Sequence, residues 1–187
     1  MATKLEIINA ALAYLGNPSV NTLNLANQVV ATMSSIYDQM LPDMLSTHPW
    51  RFAMKWETLV QLPDDPTDPH WNYSYQLPGD YIQAYDTYPW GNYTIVTDRI
   101  VWANINPPWK WGYVASVNEG LFPPYFTKLM SYGLASECAM LVTETPQIAQ
   151  YWDGKTAQQR VLAQNRDSTA QPNPVIRDNR LWARHLS

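Results

Sequence analysis

The residues of this chain whose types suit catalysis or metal binding are few and scattered. His48, His70 and His185 stand far apart in sequence, without acids at ligand spacing, and read as surface or hydrogen-bonded histidines. The single cysteine, Cys138, excludes an intrachain disulfide, and its apolar, helix-like surroundings point to a buried structural thiol. Asp64, Asp65 and Asp68 share the stretch 63–69 with three prolines. That stretch lacks the glycine turn and terminal bidentate glutamate of a loop folded round calcium. Nucleophile motifs, helix-borne metal pairs and phosphate loops are missing, and seven glycines give a phosphate cradle little material. The reading is of a protein that is no enzyme, with no catalytic residue, metal or cofactor.

Aromatic surface is the chemistry that remains. Tyr73, Tyr75, Tyr81, Tyr85, Tyr88, Trp90, Tyr93, Trp102, Trp109 and Trp111 could stack sugars or bases. Base stacking usually accompanies a basic groove, yet Arg99 and Lys110 are the only Lys or Arg between Lys55 and Lys128. The net charge of −4, a pI near 5.2 and twelve dispersed Lys and Arg also argue against a grip on nucleic acid. Charged residues make up 15% of the chain and hydrophobic ones 46%, a dry surface that implies partners. Trp90, Trp102, Trp109 and Trp111 are therefore expected to touch neighbours, and a tryptophan-rich sheet that binds carbohydrate is the alternative.

The elements that would position these residues fall into three blocks. Thr3 and Glu6 have capping-box spacing, which predicts a helix over 4–15 ended by Gly16 and Pro18. Asn21 or Asn24 is placed to cap a second helix with the stripe Leu25, Val29, Met33, Ile36, Met40 and Met44. Pro42 inside that stripe predicts a kink or break near 38–41, followed by a last turn to about Thr47. His48-Pro49-Trp50-Arg51-Phe52 is the seam where helical periodicity gives way to alternation. Strands are predicted over 51–62, 71–77, 81–88, 93–97, 99–104 and 110–117. Helices return over 124–141 and 146–167, the latter carrying Ile148, Trp152, Val161 and Leu162. The fold class is α+β: a four-helix bundle with a small inserted antiparallel β domain, sandwich or barrel-like, and an extended C-terminal arm. The bundle takes 1–49 and 120–167, the β domain 50–119 and the arm 168–187. Pro49, Trp50 and Phe52 are assigned as the wedge between the domains.

No basic segment followed by an apolar stretch opens the chain, and no apolar run approaches the roughly 18 residues of a membrane span. The expectation is a cytoplasmic protein away from membranes.

The order of motifs resembles that of a known family. Ala13-Tyr14-Leu15-Gly16-Asn17-Pro18, then His48-Pro49-Trp50-Arg51-Phe52-Ala53, then Tyr75-Gln76-Leu77-Pro78-Gly79-Asp80-Tyr81 are similar to the head-to-tail adaptor proteins of short-tailed bacteriophages, of the tail tubular protein A or gatekeeper type. Phe122-Pro123-Pro124-Tyr125-Phe126, Leu134-Ala135-Ser136-Glu137 and the Gln/Ala-rich last helix extend the likeness over about residues 3–170. The resemblance implies a virion protein, assembled in the host cytoplasm into a homo-oligomeric ring of twelve copies. The ring would sit between the portal protein and the tail nozzle protein, with DNA passing through its channel unbound. On this reading the arm residues Val175, Ile176, Arg177, Arg180, Leu181, Trp182 and Arg184 hook the portal, the four sheet tryptophans meet neighbouring subunits or the nozzle, and the acids of 63–69 face the channel.

Overall fold

The computed structural model describes residues 2–24, 27–97 and 99–170. It is an α+β structure with four helices and two small antiparallel sheets. Helix α1 (Lys4–Tyr14) opens on the capping box that the sequence predicts. The Thr3 hydroxyl accepts the Glu6 N–H and the Glu6 carboxylate accepts the Thr3 N–H, which satisfies two of the first turn's free donors. Gly16 ends the helix in the left-handed region at φ 76°, a conformation that an L side chain resists.

Helix α2 (Gln28–Ser46) departs from the expectation at both of its notable asparagines and at its proline. Its cap is Asn27, whose side chain accepts the N–H groups of Val29 and Val30, and not Asn21 or Asn24. Leu25, expected in its stripe, lies outside the described residues. The helix also runs unbroken through Pro42. Pro42 is on the exposed side, so the carbonyl left without a donor at Asp38 faces water. Tyr37, Met40, Met44 and Leu45 are buried on either side of it and hold the helix in place.

Helix α3 (Pro124–Thr143) touches each of the other three helices. Its small residues explain the close fit to α2: a Cβ on Gly133 would stand 3.0 Å from Met40 Sδ and from Met44 Cε. Helix α4 (Pro146–Thr169) lies along α3. Of the apolar residues read on α4, Ile148 and Trp152 pack half-buried against the core, and the buried stripe is Thr156, Gln159, Ala163 and Asp167 at steps of three and four. Val161 and Leu162 are more than half exposed.

The stretch expected as one strand over 51–62 is three elements. Arg51–Ala53 is a turn of 3₁₀ helix, β1 is Met54–Thr58, and β2 is Val60–Gln61. The chain changes sheets at Leu59, a buried residue whose N–H is donated to the Trp109 carbonyl at 2.9 Å. The remaining strands are β3 (Tyr73–Gln76), β4 (Tyr81–Tyr88), β5 (Tyr93–Thr97), β6 (Ile100–Ala103) and β7 (Lys110–Ala115). They pair as β1-β7-β4 and β2-β3-β6-β5, antiparallel throughout. Rings from both sheets meet: Trp109 lies 5.1 Å from Tyr75 and 6.0 Å from Tyr93, and Trp111 lies 4.8 Å from Tyr93. Buried apolar residues of helices and sheets form one continuous cluster.

Gly133 gives a test of the α2–α3 fit. Gly133→Ala is expected to change stability by less than about 1 kcal/mol in urea unfolding, because the gain in helix propensity offsets the small retreat asked of two flexible methionine ends. Gly133→Leu should cost roughly 1–3 kcal/mol through overpacking.

Candidate functional site

The seam at residues 48–56 is held by a carboxylate from the far end of the chain. Asp167, near the end of α4, is the one buried charged residue among those described. It accepts the Arg51 N–H at 3.1 and 3.2 Å through its two oxygens, and the Tyr125 hydroxyl at 2.7 Å, and it stands 3.3 Å from His48 Nε2. Arg51 returns the contact, donating from its guanidinium to the Ser168 carbonyl at 3.2 Å. Gln159, on the same stripe of α4, donates to the Tyr125 carbonyl at 3.1 Å. A carboxylate that accepts this many donors is fixed in position.

The expected wedge residues sit directly above this anchor. Trp50 is fully buried, donates its indole N–H to the Met44 carbonyl at 2.9 Å, and meets Phe126 edge-on at 4.9 Å. Phe52 lies 4.8 Å from Phe126 and 5.8 Å from Phe122, while Pro49 is exposed. The ring partners of Trp50 and Phe52 outside the seam are thus residues in and just before α3, and the strands begin only at Met54.

Beside the anchor is a cleft of about 400 Å³ lined by His48, Pro49, Arg51, Met54, Trp56, Tyr85, Asp167 and Ser168. Its aromatic wall depends on a glycine. Trp56 and Tyr85 meet edge-on at 5.7 Å over Gly112, where a Cβ would come within 2.9 Å of Tyr85 and 3.1 Å of Trp56. The two described histidines are hydrogen-bonded or paired, in keeping with the sequence: His48 Nε2 stands 3.3 Å from Asp167, and His70 Nδ1 lies 2.6 Å from Asp68. Asp68 also accepts the His70 N–H, and these bonds hold its carboxyl below the usual range. Burial pushes the Cys138 thiol up to about 12, as suits an unreactive core residue.

The four tryptophans expected at contacts part company. Trp109 and Trp111 are fully buried between the sheets, so they are core residues and cannot meet a neighbour; their alternation along the chain places both rings in the joint that Leu59 and Tyr75 also fill. Trp102 is half-buried, and Trp90 is 84% exposed beside an exposed Tyr88. The arm residues Val175, Ile176, Arg177, Arg180, Leu181, Trp182 and Arg184, and also His185, lie outside the described residues.

Asp167 is the functional residue that sequence reasoning missed. Its signal was available, since an aspartate falls on the same helical face as Thr156, Gln159 and Ala163. Asp167→Ala is expected to cost about 2–4 kcal/mol in urea unfolding, because it strands the Arg51 amide and the Tyr125 hydroxyl; Asp167→Asn, which keeps one acceptor, should cost less.

Tyrosine ionisation gives a second test. Tyr37, Tyr113 and Tyr125 are all held above the ordinary value near 10, first by burial and then by hydrogen bonds to Glu119, to Asp80 and Glu57, and to Asp167 respectively. Their folded pKa values are raised, so the unfolded chain loses these protons first. Stability should therefore be full below about pH 10 and fall above it. Absorbance at alkaline pH should show a fraction of the tyrosines ionising only as circular dichroism reports unfolding.

No family model matches the chain, and no curated protein matches it.

Proposed function

We propose that this chain is a structural assembly subunit: a head-to-tail adaptor of a short-tailed bacteriophage, which forms a ring between the portal and the tail nozzle and leaves a channel for DNA. The observation that carries the reading is the inverted face of α4. This helix turns Thr156, Gln159 and Asp167 inward and Tyr151, Val161 and Leu162 outward, the last three each more than half exposed. Among exposed polar residues such as Asp153, Gln158 and Arg166, those three apolar side chains are what a partner would cover. Met140 and Leu141, exposed at the end of α3, add apolar area to the helical unit. Trp90 and Tyr88, projecting from the β4–β5 connection, form a second apolar point at another place on the chain. Two unlike surfaces are what head-to-tail closure of a ring requires.

In this reading the four helices act as a bundle over 1–49 and 120–167, and the strands of 50–119 act as an inserted sandwich-like unit. Residues 168–187 form the arm that meets the portal, and the protein belongs to the virion at the head–tail junction. The carbohydrate-binding alternative rests on Trp90 with Tyr88, since Trp109 and Trp111 have no open face for a sugar.

Light scattering after size exclusion tests the reading. The chain is expected to assemble, alone or on addition of portal protein, and Leu162→Glu should abolish assembly with the circular dichroism spectrum unchanged. A chain that stays monomeric with portal present would sink the adaptor reading. Glycan binding lost on Trp90→Ala would favour the alternative. Deleting residues after Ser168 should preserve helix content and abolish portal attachment, and undiminished attachment would refute the role of the arm.

A further inference from the structure

We propose that the cleft at the seam is a docking groove for the chain's own segment 171–182, which packs back between α4 and the strand-borne aromatic pair before any partner engages it. The groove has one apolar wall: Met54, Trp56, Tyr85 and Pro49 face His48, Arg51, Asp167 and Ser168 across a space of about 400 Å³, and Trp56 remains half exposed. That surface is built in, because Gly112 is the residue that lets the two rings close down on the strand beneath them. Apolar area held open in this way is stabilised by an occupant.

Three features single out the occupant. The first is position: Ser168 itself lines the groove, and the described chain ends two residues later at Ala170, so whatever follows starts at the groove's mouth. The second is reach. Gln171-Pro172-Asn173-Pro174 holds two prolines, which favour an extended path of about 3 Å per residue. Val175 and Ile176 then fall within roughly 15 Å of Ala170, with Leu181 and Trp182 one further span on. The third is overall charge: residues 171–187 carry Arg177, Arg180 and Arg184 against Asp178, a net +2 in a chain of −4, which leaves −6 on residues 1–170.

The Asp167 anchor gives the arrangement its geometry. It fixes the end of α4 against the seam, beside the groove that Ser168 lines. If the segment also serves as the portal-binding arm, the two engagements compete for the same apolar residues. The groove is then a parking place that the portal empties.

The test uses the full-length chain. Gln83→Cys, on the wall where Tyr85 continues into the neighbouring cleft, is paired with Ile176→Cys; native Cys138 is buried and stays out of the reaction. The expected result is a disulfide within one chain, seen as a faster-migrating monomer after mild oxidation. In parallel, Val175→Asp with Ile176→Asp should make hydrogen exchange in residues 54–58 and 83–88 about fivefold faster with the rest of the map unchanged. A disulfide that forms only between chains would assign the groove to a second copy and overturn the proposal. No disulfide, together with unchanged exchange in the aspartate variant, would overturn it as well. Neither readout involves ring formation, so either can fail while the adaptor reading stands.

Discussion

The Asp167 carboxylate is the constraint on which the arrangement of this molecule depends. A buried acid is costly unless donors surround it, and here the donors come from two distant parts of the chain: the seam, through the Arg51 amide and His48, and the start of α3, through the Tyr125 hydroxyl. Meeting its needs draws the end of α4, the start of α3 and the seam before β1 to one point. Trp50 and Phe52 then have one place to go, against Phe126 and Phe122, and the strands leave the helices in a fixed direction. The carboxylate gives the Arg51 amide and the Tyr125 hydroxyl an acceptor that an apolar side chain of the same shape would not.

Local features of the fold were legible in the sequence because their causes are local. The Thr3/Glu6 capping box, Gly16 as a stop, and β4 and β5 to the residue follow from spacing, turn residues and period-two alternation. The start of α2 was not, because three asparagines competed for the cap and the choice of Asn27 depends on where the helix packs. Pro42 predicts a kink or a break, and the helix is not broken there because the proline lies on the side that meets water. The switch of sheets at Leu59 rests on a bond to Trp109, fifty residues away, and no alternation pattern carries that.

The site was legible in outline and wrong in part. The seam stood out, as did the aromatic wealth of the sheets, but composition says how many tryptophans there are and not which are enclosed. Trp109 and Trp111 fill the joint between sheets, whereas Trp90 projects from a connection. In α4 the residue types misled more directly. Of the four apolar residues that the sequence shows there, Ile148 and Trp152 pack on the core and Val161 and Leu162 do not, while Thr156, Gln159 and Asp167 are buried with Ala163. Under the proposed function, the exposed Tyr151, Val161 and Leu162 are the surface that a second copy or the portal would cover.

Electron cryomicroscopy of the assembled protein tests that claim most directly. The account predicts copies related by rotation, with Tyr151, Val161 and Leu162 of α4 enclosed at a contact between copies or against the portal. A map in which assembled copies leave this face of α4 open to solvent would contradict it.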